Sequence, residues 1–295
     1  MGTALATMGK GESMMPDKFL VIVGASLATL GILWVASVTV SRIFVRRYIG
    51  RLLRSIGKTK LPSFSPELSR SLPVAVQRYL HYALKEGQPN IRYAIVTQQA
   101  RFRHGANRPW MNVRATEYIS GMEPGFVWDA VLRHHPLWWR TAKLGYLQGK
   151  GSGHIKLFGA ITLQEFDGPE TDTSMLFRFL SELVWLPTGL LPTRTLRWVH
   201  VDDNTARAVI ADAEVRVEAV FHVNEIGQVE RIVTESKYRD TKSGYEPATF
   251  TMQCNDYSEV EGVMIPKKVV FTWNMPSGDL EYGQFTIEDI AYYYA

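Results

Sequence analysis

The stretch EVRVEAVFHV, Glu214–Val223, decides how the rest of the chain is read. Val215, Val217, Ala219, Phe221 and Val223 fall on one face, with Glu214, Arg216, Glu218 and His222 opposite. A period of two describes a half-buried strand, one side apolar and one side wet. The pattern recurs at Val269, Phe271, Trp273 and Met275, with Lys268, Thr272 and Asn274 opposite. It recurs again at Ile155, Leu157, Ile161 and Leu163, with Gly159 at the gap. Turn-forming residues separate the runs: NEIGQ at Asn224–Gln228, EGVMIP at Glu261–Pro266 and MPSGD at Met275–Asp279.

The earlier segments IVTQQARFRHG, WMNVRATEYI, GFVWDAVLRH and WRTAKLGYLQGKG, between residues 95 and 151, read as further strands with mixed alternation and strong twist. No βαβ rhythm is present, which excludes a Rossmann or flavodoxin arrangement. The expected fold is mainly β with a few helices: a large curved antiparallel sheet or open barrel, preceded by one N-terminal transmembrane helix.

That helix is read from FLVIVGASLATLGILWVASVTV, Phe19–Val40, which carries no charge. At about 1.5 Å per residue it covers a hydrocarbon core of roughly 30 Å. A signal peptide is the competing reading, with VAS at Val35–Ser37 as a cleavage site, but the apolar run is long and the positive charge follows it. Residues 1–18 form a short tail, within which Met14 or Met15 is a candidate start. Residues 41–69 hold a basic juxtamembrane helix and a Pro/Ser linker, LPSFSPEL. Arg42, Arg46, Arg47, Arg51, Arg54, Lys58 and Lys60 lie there without an acid, and residues 61–295 carry a net −3. The basic pI therefore belongs to one short segment, and nucleic-acid binding by the body is not implied. The positive-inside rule places the body in the cytoplasm, as a single-pass protein of the bacterial inner membrane. Residues 19–60 are expected to meet membrane lipids, with Ile43, Phe44, Tyr48, Leu52 and Ile56 lining one side of an interfacial helix.

Residues 70–295 are expected to form the β domain, with a short helix over Pro73–Lys85 and a stronger one over Thr171–Leu186. Thr171, Asp172 or Thr173 are candidate caps for the latter, and Pro187 limits its end. Along it, Ser174, Arg178, Ser181 and Glu182 make a polar stripe that Trp185 continues, while leucines and phenylalanines cover the rest. Such a helix is largely enclosed. Glu182 can pair with Arg178 at i,i+4, or burial against Trp185 can raise its pKa for proton transfer. Asp202 and Asp203 are the other candidate catalytic carboxylates, and both also read as turn residues at a strand end. Trp128, Trp138, Trp185, Trp198 and Trp273 are candidates to line an apolar pocket. The ligand-binding set is Arg178, Glu182, Trp185, Trp198 and Trp273.

Cofactor and metal motifs are absent. The single cysteine, Cys254, excludes an intrachain disulfide and an all-cysteine metal site. The seven histidines form no HExxH; His200 with Asp202, and the adjacent His134 and His135, are the nearest to a ligand pair. There is no GxSxG, and GKGSG at Gly149–Gly153 lacks P-loop spacing and reads as a flexible bend or bulge.

PGFVWDAVL at Pro124–Leu132, GKGSGHIKLFG at Gly149–Gly159, RFLSELVWLPTGLLP at Arg178–Pro192, WVHVDDNTARAVI at Trp198–Ile210 and VVFTWNMPSGDLEYG at Val269–Gly283 together resemble an uncharacterised bacterial family of unknown function, DUF6544, also DUF6920. The resemblance implies one coherent unit over residues 90–295 and no catalytic assignment. The expected architecture is also similar to open-barrel carriers of lipoproteins and lipids, which usually work outside the cytoplasm. Three functions follow as expectations. The first is a membrane-anchored domain that binds a lipid or other apolar ligand. The second is a hydrolase- or isomerase-like enzyme using Glu182. The third is a structural or interaction module at the membrane.

Overall fold

The computed structural model describes residues 15–57, 62–135, 137–241 and 244–295. Met14 and most of the expected tail, Lys58 and Lys60 of the basic segment, and Leu61 at the start of the linker lie outside the described residues, as does the side chain of His134.

Helix α1 (Met15–Ser55) is followed by the short α2 (Pro66–Ser69) and by α3 (Val74–Ala83). Six strands come next: β1 (Ile91–Phe102), β2 (Met111–Ser120), β3 (Gly125–His135), β4 (Trp138–Leu147), β5 (Lys150–Leu157) and β6 (Ile161–Phe166). Helix α4 (Pro169–Glu182) and two 3-10 turns, Leu183–Trp185 and Pro187–Leu190, then cross the molecule. Seven more strands complete it: β7 (Leu196–Asp202), β8 (Thr205–Asp212), β9 (Val215–Val223), β10 (Val229–Thr241), β11 (Gly244–Val260), β12 (Val263–Asn274) and β13 (Leu280–Tyr294).

All the strands belong to one antiparallel sheet, ordered β6-β5-β4-β3-β2-β1-β13-β12-β11-β10-β9-β8-β7. Two meanders are thus joined by pairing of the first strand with the last, from Ile91↔Tyr294 to Phe102↔Gly283. Register shifts in β1–β13, β3–β4, β5–β6, β10–β11 and β12–β13 add local twist and curl the sheet into a half-barrel. Curvature brings distant strands together: Gln164 on β6 donates to Asp240 on β10 at 2.7 Å, and the Gly149 amide donates to Asp212 at 2.8 Å. Two-residue turns at Gln148–Gly149 and Glu261–Gly262 have both residues at positive φ, the geometry that suits the twist of a tight hairpin.

The half-barrel is filled from one end. Helix α4 begins at Pro169 rather than near Thr171, after Gly168 at φ 90°. Asp172 does not cap it: its carboxylate is buried and accepts from the Gly151 amide at 2.7 Å and from Lys150 Nζ at 2.9 Å. The KGSG run is part of β5, and its glycines serve close approach rather than a bend. A Cβ on Gly151 would lie 2.7 Å from the Thr171 carbonyl oxygen, so the helix backbone crosses the strand directly. The 3-10 turns then plug the far end, where Trp185 is fully buried and donates to the Pro266 carbonyl at 3.1 Å. Tyr79 from α3 and Tyr292 from β13 donate to the carbonyls of Val184 and Trp185.

Helix α1 joins the apolar and basic segments without a break. Its Phe19–Ser55 portion is long and apolar enough to cross a membrane, properties that a signal sequence near an N-terminus shares. The basic half stands against the outer face of the sheet. Val45, Leu52 and Ile56 are buried there with Val127 and Leu147, whereas Ile43 and Phe44 remain exposed. The apolar side of the expected interfacial helix is therefore divided, its C-terminal part covered by protein. Glycines on β3 and β4 receive it: a Cβ on Gly125 would lie 2.6 Å from Leu52, and one on Gly145 2.6 Å from Tyr48. Lys143 Nζ donates to the Ser41 carbonyl at 3.4 Å. Arg42, Arg46, Arg47, Arg51 and Arg54 all face solvent.

Leu52→Ala removes a fully buried side chain from this small helix–sheet core and is expected to destabilise the protein by about 2–5 kcal/mol. Urea titration of the detergent-solubilised chain, followed by tryptophan fluorescence, measures it; an unchanged midpoint would show that the helix does not dock.

Candidate functional site

The concave face holds a buried charge cluster. Arg178 on α4 donates through Nε to Glu182 at 2.9 Å and through a terminal nitrogen to Glu117 on β2 at 3.0 Å. Its guanidinium lies 4.9 Å from the centre of the Phe126 ring and 4.8 Å from that of Trp128. Glu117 is fully buried and accepts from Gln98 at 2.8 Å, and Gln98 in turn accepts from Trp128 Nε1 at 2.9 Å. The second oxygen of Glu182 is buried without a hydrogen-bond partner among the described residues.

Two carboxylates thus share one guanidinium. Burial pushes the Glu182 carboxyl well above the usual carboxylate range; Arg178 opposes this, and the charge of Glu117 adds to it. With Glu182 protonated the cluster carries no net charge, the arrangement that a dry interior favours. The expected pairing of Glu182 with Arg178 is present, but Glu182 does not line the pocket described next.

Between α4 and the sheet lies a pocket of about 300 Å³. Its walls are mostly apolar, with Phe102, Trp128, Leu144, Ile155, Trp273 and Phe285 among them. Arg178, Lys237 and Arg239 are the cations that reach it, all half-buried, as is Glu170, while Asp240 is exposed. Lys237 Nζ faces three rings, Phe250 at 4.8 Å, Phe177 at 5.5 Å and Trp273 at 6.0 Å. No hydrogen bond or ion pair holds this nitrogen among the described residues. Burial pulls its ammonium down to about 7, with repulsion from Arg178 adding and attraction to Glu182 opposing.

The expected site residues divide. Arg178 and Trp273 line the pocket, and Trp128 joins them. Trp185 lies outside it because the helix has ended by then and its ring is part of the plug. Trp198 also lies elsewhere: on β7 it donates to the Leu190 carbonyl at 2.8 Å and packs edge-on against Phe221. Trp138 is on the outside, 55% exposed. Asp202 and Asp203 occupy the exposed β7–β8 turn, where Asp202 accepts from the Asn204 amide at 2.9 Å and the Asp203 carbonyl accepts from Arg78. They are turn residues remote from the pocket, and His200 beside them is exposed. Among the described residues no group of three His, Cys, Asp or Glu could hold a metal ion.

Glu117 and Lys237 were not anticipated. Glu117 stands in the inward phase of β2, after Met111, Val113 and Ala115, so an acid in an apolar register was its signal. Lys237 follows a register shift in β10 between Thr234 and Lys237, which reverses the side-chain phase. Simple alternation would have placed it outside.

A curved antiparallel sheet wrapped around one helix, with an apolar pocket left beside it, defines an open-barrel class of domain. The chain belongs to the family of unknown function DUF6920, whose pattern matches residues 70–292. No curated protein matches the sequence. Several solved structures are similar, including these three. One is a provisionally assigned outer membrane lipoprotein-sorting protein domain from Vibrio parahaemolyticus, 9% identical, covering 77% of this chain and 91% of its own, with a TM-score of 0.41. Another is a DUF1329 family protein from Desulfovibrio piger, 8% identical, covering 75% and 93%, with a TM-score of 0.42. The third is a LolA superfamily protein from Nitrosomonas europaea, 11% identical, covering 73% and 90%, with a TM-score of 0.36. Likenesses this distant assign no role to any residue here.

Two substitutions separate the members of the charge cluster. Arg178→Met leaves Glu117 buried without its cation and is expected to destabilise the protein by about 3–5 kcal/mol. Glu182→Gln replaces by a neutral amide the carboxyl that burial pushes up, and it is expected to alter stability by less than about 1 kcal/mol. Chemical denaturation of both variants at neutral pH checks this. Equal losses would mean that Glu182 is ionised.

Proposed function

We propose that the protein is a membrane-tethered binding domain whose pocket holds a lipid or another apolar ligand with an acidic head. Helix α1 crosses the membrane once, and the excess of arginine that follows its apolar half puts the body on the cytoplasmic side. The ligand's chain lies along the aromatic and aliphatic walls. Its acidic head meets Lys237, with Arg178 behind.

One observation carries this reading: Lys237 presents to a mostly apolar pocket a side-chain nitrogen that no hydrogen bond or ion pair holds among the described residues. An acidic ligand would supply the acceptor that this half-buried nitrogen lacks. Arg178 and Glu182, both expected among the ligand-binding residues, do not hold the head in this reading. Arg178 is already paired with Glu117 and Glu182, whereas among the described residues no ion pair holds Lys237 or Arg239, and of these Lys237 is the one that faces the aromatic wall. The enzymatic alternative through Glu182 has no support from the pocket, whose lining does not include that carboxyl.

Native mass spectrometry of the detergent-solubilised full chain, titrated with decanoic acid and with decanol, tests the proposal. The acid should bind more tightly than the alcohol, and Lys237→Met should weaken acid binding by roughly tenfold or more while leaving the alcohol nearly unchanged. Equal binding of acid and alcohol to the unaltered protein removes the role of Lys237. Failure of both to bind removes the ligand pocket.

Topology has its own test. Protease added outside sealed right-side-out membrane vesicles should leave the body intact, and digestion from that side would reverse the assignment.

A further inference from the structure

The sheet has an open end and a plugged one. The turns joining β1 to β2, β3 to β4 and β5 to β6 share one end of the first meander. Pairing of Phe102 with Gly283 puts the β12–β13 turn beside them. The pocket's margin lies here, since His104, Leu132, Tyr245 and Leu280 are close to these turns or to the β10–β11 turn. At the opposite end Trp185, Tyr79 and Tyr292 fill the interior.

Helix α1 leaves the body at the open end. Trp34 Nε1 donates to the Phe158 carbonyl at 3.0 Å, and Ser37 to the Ala160 carbonyl at 3.5 Å, both in the β5–β6 turn. Around this exit stand large apolar side chains that nothing covers: Leu137 is 72% exposed, Trp138 55% and Ile161 58%. Trp138 and Phe158 are in ring contact at 5.3 Å, so the two turns form one rim. The exposed arginines Arg108, Arg133 and Arg140 lie on the same end of the first meander.

We infer that this rim docks on the lipid bilayer that receives the helix, so that the pocket opens toward the membrane. The inference rests on the proposed membrane crossing and goes beyond it by fixing which face of the body meets lipid. Helix length supports it. From Phe19 to Trp34 the helix rises only ~22 Å, short of the roughly 30 Å that a hydrocarbon core requires. The bilayer surface must therefore reach past Trp34, to the level of the turn that Trp34 and Ser37 touch. Aromatic and aliphatic side chains at that level suit the boundary between headgroups and acyl chains, and the arginines suit anionic headgroups. The same geometry revises the role of the basic segment. Arg54 stands ~25 Å further along the helix than Ser37, well beyond the screening distance of a charged surface. Only the first arginines are close enough to meet headgroups.

The test uses the full chain in vesicles of phosphatidylcholine and phosphatidylglycerol with brominated acyl chains. An environment-sensitive fluorophore is placed singly at Leu137→Cys, Ile161→Cys, Ile226→Cys and Leu27→Cys; the native Cys254 is buried and stays unlabelled. Labels at positions 137 and 161 should shift to the blue and be quenched by the brominated lipid, as at position 27. The label at position 226, in the β9–β10 turn, should show neither. Quenching at position 27 without quenching at 137 and 161 overturns the docking inference and leaves the crossing intact. No quenching at 27 removes the crossing itself, and the inference with it. A disulfide formed on oxidation between two copies of unlabelled Leu137→Cys, with no quenching of the labelled variant, assigns the rim to a second copy and also overturns the inference.

Discussion

Pairing between β1 and β13 is the contact on which the rest of the structure depends. Each meander alone would be a sheet with one apolar face and nothing to cover it. Eleven residue pairs between the first and last strands merge the two into one surface. Curvature from the register shifts then encloses α4, whose apolar sides satisfy both halves at once. The pocket is what remains where the helix does not reach. A break in this pairing would expose the helix, the plug and the pocket together.

Within that enclosure Arg178 and Glu117 are paired, while one Glu182 oxygen and the Lys237 nitrogen have no hydrogen-bond partner among the described residues. Arg178 is held by two carboxyl groups and two aromatic faces, and the acid beneath it is held by Gln98. This set fixes the helix against β2 and leaves little capacity for a ligand. Lys237 has aromatic neighbours but no acceptor among the described residues, and it borders the pocket. The fold places this group on the wall of a pocket whose margin lies at the end where the apolar helix departs.

Much of the architecture was legible. Period-two alternation at Val215–Val223 and Val269–Trp273 is strand chemistry whatever surrounds it, and the glycine-containing turns between runs permit little but a meander. The one long helical run in the body was equally plain, although neither bound was: the α-helix ends at Glu182, and 3-10 turns carry the chain on to Leu190. Gly168 and Pro169 open the helix, and Asp172 turns away from the cap to hold β5. The site was less legible. Arg178 with Glu182 followed from their spacing of four. Trp185 and Trp198 were misplaced because a tryptophan fits a plug or a sheet corner as well as a pocket wall.

By itself the sequence determined the strands, the turns, the enclosed helix, the apolar N-terminal segment and the concentration of positive charge after it. These depend on neighbours a few residues apart, where backbone geometry sets the period. Only the tertiary structure decided that β1 meets β13, that Glu117 lies under Arg178 and that Lys237 points inward. It also decided that the basic half of α1 stands against the sheet. Each of these rests on pairings between residues far apart in the chain, or on a single extra residue in a strand that reverses every side chain after it.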